Sequence, residues 1–375
     1  MASSPCLYLL LIVLSLRATP CLSYTSFIFG DSLADAGNND YLLTLSRADS
    51  PPYGIDFTPS GGRPTGRFTN GRTISDIIGE ALGDSSFPPP YLAPNAAENS
   101  KERGVNFASG ASGILDETGS LFINYFEETR NHMVEKMGEN HTSEFLRKAV
   151  FSIASGSNDI LNYLEPSIPF LGRDKMPASV LQDTMVSNLT TYLKIKVQAL
   201  RHIRNARFCF VKRLHELGAR KFVVVDVGPL GCIPYVRALK LVSKGRCSST
   251  ANKLVQGYNA KLRRGIYKLN REMGPETMFI YANSYDIVID LMRNSRQYGF
   301  VNANDPCCGG SFPPFLCFRG VDATESSFLC ENRTEYVFWD AYHPTEATNL
   351  LIASRFLDGD ASAAFPVNVR KLYEA

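Results

Sequence analysis

Ser26-Phe27-Ile28-Phe29-Gly30-Asp31-Ser32-Leu33-Ala34-Asp35-Ala36-Gly37-Asn38-Asn39 begins as a short apolar run and turns polar at Gly30. A run of this kind reads as a strand of a parallel sheet, buried on both faces, and ligands of such sheets sit at the carboxyl ends of the strands. Ser32 is thereby delivered to a place where a nucleophile is useful. A serine hydroxyl is unreactive alone; it needs a base, a group that orients the base, and donors for a developing oxyanion. The same tripeptide recurs as Gly83-Asp84-Ser85, after a helical pattern and ahead of Pro88-Pro89-Pro90, where it reads as a helix stop.

Four more strands are expected, at Gly104 to Ala108, Ala149 to Ala154, Lys221 to Val227 and Thr277 to Tyr281. Between them lie helical patterns. In Thr73 to Leu82 the residues Ile74, Ile77, Ile78 and Leu82 share a face, and Gly83 ends the run. Others cover Leu121 to Lys136, a stretch from about Leu181 to Leu217, and Asn252 to Met273. Strands alternating with helices specify an α/β fold with a mainly parallel, five-stranded sheet. Asn38 to Asn70, punctuated by Pro51-Pro52-Tyr53-Gly54 and Gly61-Gly62-Arg63-Pro64, is expected to be ordered loop. Three strand ends carry unusual polar loops, holding Ser32, Gly110 and Asn158. Their convergence at one sheet edge would make a binding site.

Lys plus Arg number 39 against 37 Asp plus Glu, a formal charge of +2, which gives no case for nucleic acid or an anionic membrane as partner. Leu7 to Leu16 is apolar but too short to span a bilayer, and Thr19-Pro20-Cys21-Leu22-Ser23 supplies small residues for cleavage. Residues 1–23 are therefore expected to be a signal peptide. Residues 24–375 should form a single secreted, extracellular domain without a transmembrane segment, acting as a monomer. Of nine cysteines, Cys6 and Cys21 leave with the leader; Cys209, Cys232, Cys247, Cys307, Cys308, Cys317 and Cys330 remain. In a secreted chain the cluster from Cys307 to Cys330 suits disulfides better than zinc, with the pairing open. Sequons at Asn140, Asn188 and Asn332 suit a glycosylated surface.

The base must come from five histidines. His132, His141, His202 and His215 lie in charged or sequon stretches and read as solvated. His343 stands in Trp339-Asp340-Ala341-Tyr342-His343-Pro344, ahead of a helix through Leu350, Leu351 and Phe356. An Asp three residues before a His can fold back onto Nδ1–H, fix the tautomer and leave Nε2 free to take a serine proton. The bland alternative is that Asp340 caps the following helix.

Phe29-Gly30-Asp31-Ser32-Leu33, Val105-Asn106-Phe107-Ala108-Ser109-Gly110, Gly156-Ser157-Asn158-Asp159 and Asp340-Ala341-Tyr342-His343-Pro344 resemble, in order, the four blocks of the GDSL esterase/lipases of the SGNH hydrolase superfamily. Asp35-Ala36-Gly37-Asn38-Asn39, Gly66-Arg67-Phe68-Thr69-Asn70-Gly71 and Cys307-Cys308-Gly309 are similar to the plant secreted branch, which acts in the cell wall or apoplast. The resemblance implies a flavodoxin-like three-layer α/β/α sandwich and hydrolysis of carboxylic esters of lipid or acylated polymer. It implies Ser32 as nucleophile, His343 as base and Asp340 as orienting carboxylate. The oxyanion donors would be the backbone N–H of Ser32, the backbone N–H of Gly110 and the amide of Asn158. No cofactor or metal is implied. An acyltransferase would use the same residues, and a non-catalytic scaffold protein should have lost some of them.

One stretch departs from this pattern. Between Asn188 and Gly218-Ala219-Arg220-Lys221 the chain carries an excess, placed at about Ile195 to Lys212 and including Cys209, the seventh mature cysteine, without which the count is an even six. No acidic residue occurs from Thr184 to His215, and removing the excess joins Leu189, Tyr192 and Leu193 to Leu214 and Leu217 at helical spacing. It is expected to be an insertion that the fold expels; a longer basic helix is the alternative.

Overall fold

The computed structural model describes residues 24–84, 86–94, 96, 104–115, 118–165, 175–190, 210–240, 242–243, 245–309, 317 and 329–375. Eight strands are β1 (Ser26–Gly30), β2 (Gly104–Asn106), β3 (Val150–Ala154), β4 (Lys221–Val225), β5 (Met278–Ala282), β6 (Asn302–Pro306), β7 (Tyr336–Phe338) and β8 (Ala364–Phe365). The five expected strands run parallel in the order β2-β1-β3-β4-β5. This is the flavodoxin-like order, in which the connection reverses direction between β1 and β3 and opens a crevice there. The expectation of five strands needs one addition: β8 pairs antiparallel with β5 at the edge. β6 and β7 form a separate parallel pair.

A row of phenylalanines sets the register. Phe27, Phe151, Phe222 and Phe279 are direct partners on β1, β3, β4 and β5. Their rings lie 5.1, 5.7 and 4.5 Å apart along the row. Because side chains alternate across a strand, a one-residue slip would throw the whole row to the opposite face. Phe29, two residues beyond Phe27, continues onto Phe126 and Phe210. The opposite face at Ile28 is tight, closed by Ala34 and Ala108.

The helices are α1 (Ile74–Ala81), α2 (Thr118–Met137), α3 (Glu139–Lys148), α4 (Ser157–Leu164), α5 (Ala178–Thr190), α6 (Phe210–Glu216), α7 (Pro234–Leu239), α8 (Ser249–Glu272), α9 (Ser284–Arg293), α10 (Glu346–Asp358) and α11 (Val369–Glu374). One layer packs α2 on α6, α6 on α5 and α5 on α8; the other packs α10 against α1, α9 and α11. Thr73 starts α1 with a reciprocal cap, accepting from Asp76 N–H while Asp76 accepts from Thr73 N–H. The helix expected from Asn252 begins three residues sooner, because Ser248 caps it.

The expected insertion needs a new boundary. Ile195 to Cys209 lie outside the described residues. Phe210, Val211 and Lys212, however, form the first turn of α6, with Phe210 and Val211 buried and Phe210 against Phe29. A helix turn that fills the core is not an expelled excursion, so these three residues belong to the domain. Disulfides join Cys232 to Cys247, Cys307 to Cys330 and Cys308 to Cys317. Residues 1–23, expected to be a signal peptide, and Cys209 also lie outside the described residues. Among those described, no helix is long and apolar enough to cross a membrane.

Candidate active site

β1 ends at Gly30, where a Cβ would stand 2.3 Å from the Ala154 carbonyl oxygen, so only glycine lets β1 and β3 close here. The chain then turns: Asp31 Oδ1 accepts from Leu33 N–H, and its carbonyl accepts from Ala34 and Asp35. Ser32 is held on this turn. Its Oγ lies 2.7 Å from His343 Nε2. Nδ1 of the same ring faces both Asp340 oxygens, at 2.9 and 2.8 Å. An ionised carboxylate only accepts, so Nδ1 carries the proton and Nε2 accepts from the serine. Burial pushes the Asp340 carboxyl up, but His343 and the Tyr342 and His343 backbone N–H groups together hold it below its ordinary value. Asp340 is not the cap of α10: Thr345 is, accepting from Thr348 N–H.

The oxyanion side differs from the sequence expectation at one point. Among the described residues no protein acceptor engages the Ser32 N–H. Asn158 opens α4, whose N-terminal end favours negative charge. Its Nδ2 gives one proton to Ser112 O at 2.8 Å, leaving the second amide proton for another acceptor. The Gly110 N–H, expected to face the oxyanion, instead donates to Asp35 Oδ2 at 2.9 Å. Asp35 also accepts from Gly37 and Asn38 N–H, so its carboxylate ties the loop after Ser32 to the loop after β2. The need for glycine at 110 is steric: a Cβ there would lie 2.6 Å from Asn39 Nδ2 and 2.7 Å from Phe68 Cζ.

Several further residues of the site lie in stretches to which the sequence reading gave no catalytic role. Tyr53 donates its hydroxyl to Asp340 Oδ2 at 2.8 Å. Burial and the Asp340 charge raise its phenol far above the ordinary value, so it remains a donor. The Phe68 ring packs 5.1 Å from the His343 ring. Both come from the long proline- and glycine-rich loop, which is fixed at its far end by Arg67. That guanidinium makes a two-pronged contact with the buried Asp76, at 2.7 and 2.9 Å, beneath Phe57. Thr69 Oγ1 then donates to Pro344 O, and Asn70 Oδ1 accepts from Glu346 N–H, clamping the histidine segment in place.

Among the described residues, no other histidine contacts Ser32. His141 is exposed on its helix, His132 is half-buried with its Nε2 covered rather than solvated, and His202 is outside the described residues. His215, expected to be solvated, is half-buried, with Nε2 3.1 Å from Thr277 Oγ1 and a pKa lowered by burial and Arg220. No grouping of three metal-binding side chains occurs among the described residues.

Three buried carboxyls set a pH signature. Burial raises Asp31, Asp35 and Asp226 to about 6 from an ordinary 3.8. The folded chain keeps these protons to higher pH than the unfolded chain does. The stability they contribute is therefore complete below about pH 4 and is lost as pH rises through about 6. Asp76 and Asp340 are lowered, so their contribution is lost instead as pH falls below about 4. The melting temperature is expected to peak in mild acid and to be several degrees higher at about pH 5 than at about pH 8. Scanning calorimetry across that range checks it; a profile rising towards pH 8 would contradict the burial argument.

A hydroxyl thus rests on an aspartate-anchored imidazole at the reversal point of a parallel sheet. Residues 27–356 match the GDSL-like lipase/acylhydrolase family, and the chain belongs to it. It is similar to a GDSL esterase/lipase of Arabidopsis thaliana, 56% identical over 362 residues, or 93% of each chain. Two further GDSL esterase/lipases of that plant are 45% and 43% identical, over 92% of this chain and 90% and 87% of theirs. The protein is a hydrolase acting on ester bonds.

Proposed function

We propose that the protein is a secreted serine esterase that hydrolyses acyl esters through Ser32, His343 and Asp340. The observation that carries this reading is the 2.7 Å contact between Ser32 Oγ and an imidazole whose other nitrogen is committed to Asp340. Ser32 Oγ attacks the acyl carbon as its proton passes to His343 Nε2. The tetrahedral oxyanion is met by the Ser32 N–H and the second Asn158 amide proton. Collapse breaks the bond to the alkoxide, which takes the proton from His343 and leaves an acyl-serine. Water then repeats the sequence, giving the acid and free Ser32. Asp340 stabilises the imidazolium in both halves without taking its proton.

Secretion rests on the leader-like sequence and the three disulfides, which persist in oxidising compartments. The direct test is a p-nitrophenyl ester series of increasing acyl length on the purified, glycosylated protein. Product analysis with and without a polyol separates transfer from hydrolysis. No turnover of any ester in the series would overturn the proposal. Asn158→Ala is expected to lower kcat about 100- to 1000-fold with little change in KM, the usual cost of one oxyanion donor. An unchanged kcat would reduce Asn158 to a tie between loops.

A further inference from the structure

The carboxylate of Asp340 is almost wholly out of water, at 2% exposure, so protein donors decide how its charge is shared. Its Oδ1 accepts from the Tyr342 and His343 N–H groups and faces His343 Nδ1. Its Oδ2 also faces Nδ1, and the only other donor to it among the described residues is the Tyr53 hydroxyl. The two backbone donors belong to the turn that carries the histidine. Tyr53 comes from a loop 287 positions earlier in the chain.

That loop is built to hold the contact. Tyr53 N–H donates to Ser50 O, and Gly54 N–H donates to Thr69 O at 2.9 Å. Asp56 N–H donates to Asn70 O at 2.7 Å, and the Asp56 carboxylate receives the Arg333 guanidinium. The Tyr53 ring stands edge-on to Phe68 and Trp339, with centroids 6.2 and 6.1 Å away. These apolar contacts fix the ring without the hydroxyl. The hydroxyl has one proton, and it goes to Asp340.

A donor on a carboxylate draws charge away from the carboxylate's other partner. Here that partner is Nδ1–H, on a ring that must be free of its second proton before Nε2 can act as base. We propose that Tyr53 is a positioning residue that sets the acid limit of activity: its hydroxyl takes up part of the Asp340 charge, so that the imidazole stays available to Ser32 in mildly acidic solution. This rests on the esterase reading above and adds to it a residue that acts through Asp340. Without the hydroxyl, Oδ2 bears on Nδ1–H alone, the imidazolium is favoured, and the base is lost at a higher pH. Other titratable groups also face the pair. Asp31, on the turn after β1, acts on His343, with Asp159 of α4 behind it; Tyr342 flanks the ring, with Tyr235 and Glu165 beyond. All of these stay the same when one oxygen is removed from Tyr53, so the difference between two profiles isolates that oxygen.

The test is kcat/KM on p-nitrophenyl acetate from about pH 4.5 to about pH 8.5, with the full-length protein and its Tyr53→Phe variant. The acid limb reports the free enzyme's base, and its apparent midpoint belongs to the Asp340–His343 pair. In Tyr53→Phe the limb is expected to move up by about 0.5 to 1 unit, part of the worth of one hydrogen bond to a charged group. The rate relative to native should therefore fall about three- to tenfold further at about pH 5 than at about pH 8. Thr69→Val is the control, because it cuts the same loop from Pro344 O without touching Asp340. Whatever rate it loses, its acid limb should coincide with the native one. Four results overturn the proposal and leave the esterase reading standing: an unmoved limb, a limb that moves down, an equal loss at every pH, or the same shift in Thr69→Val. The last two would make Tyr53 only a tie that holds the loop. Absence of hydrolysis by the native protein, or hydrolysis that survives Ser32→Ala, would overturn the esterase reading and this proposal with it.

Discussion

Ser32→Ala is expected to lower kcat by about a million-fold while leaving the fold intact. The hydroxyl sits half-buried on a turn beyond β1, and its contact is with His343 Nε2 rather than with the core. Losing one such hydrogen bond costs about 1 kcal/mol of stability, small beside the whole. Losing the attacking oxygen leaves only oriented donors and bound substrate, which act on water weakly. A fluorophosphonate probe should label the native protein covalently and leave the variant untouched. Labelling of the variant, or ester turnover within about tenfold of native, would remove Ser32 from the role of nucleophile.

The second large effect is Asp340→Asn, expected to lower kcat by about ten thousand-fold with little change in KM. The geometry dictates how the amide must sit. The Oδ1 position accepts from Tyr342 and His343 N–H at 2.8 and 2.7 Å, so it must remain an oxygen. The NH2 group is then forced to the Oδ2 position, 2.8 Å from His343 Nδ1. There its donation to Nδ1 competes with the Nδ1–H bond to Oδ1 at 2.9 Å and shifts the ring towards the tautomer with its proton on Nε2. A protonated Nε2 cannot take the serine proton. Tyr53, which donates to the same oxygen, loses its acceptor as well. Steady-state kinetics together with the ring nitrogen shifts in NMR would test this. Retained activity with an Nε2–H tautomer would show that Ser32 is activated by something else.

Legibility from sequence followed the range of the contacts. Asp340 and His343 are three residues apart, so one turn brings them together, and that geometry is written in a short segment. The five parallel strands were readable because each is a contiguous apolar run. β8 was not, since two residues of sequence, Ala364 and Phe365, carry no period. Tyr53 and Asp340 are 287 residues apart, and the loop holding Tyr53 has neither period of three and a half nor of two. The direction of the Gly110 amide was illegible for the same reason: it donates to a carboxylate 75 residues away, and sequence spacing does not say which way an N–H points. For Phe210 and Val211 the surrounding basic residues hid an ordinary core turn.

The oxygen and nitrogen that meet between Ser32 and His343 are separated by 311 positions in the chain. During synthesis the serine emerges near the start and the imidazole near the end. β1, flanked by β2 and β3, also lacks its neighbours until some 120 later residues exist, an entropically costly long-range closure. A growing or prematurely ended chain thus carries the hydroxyl with nothing to activate it. With the proposed roles of Ser32 and His343, latency during synthesis follows from the order of the segments, and a frameshift ahead of Asp340 is expected to yield a silent product.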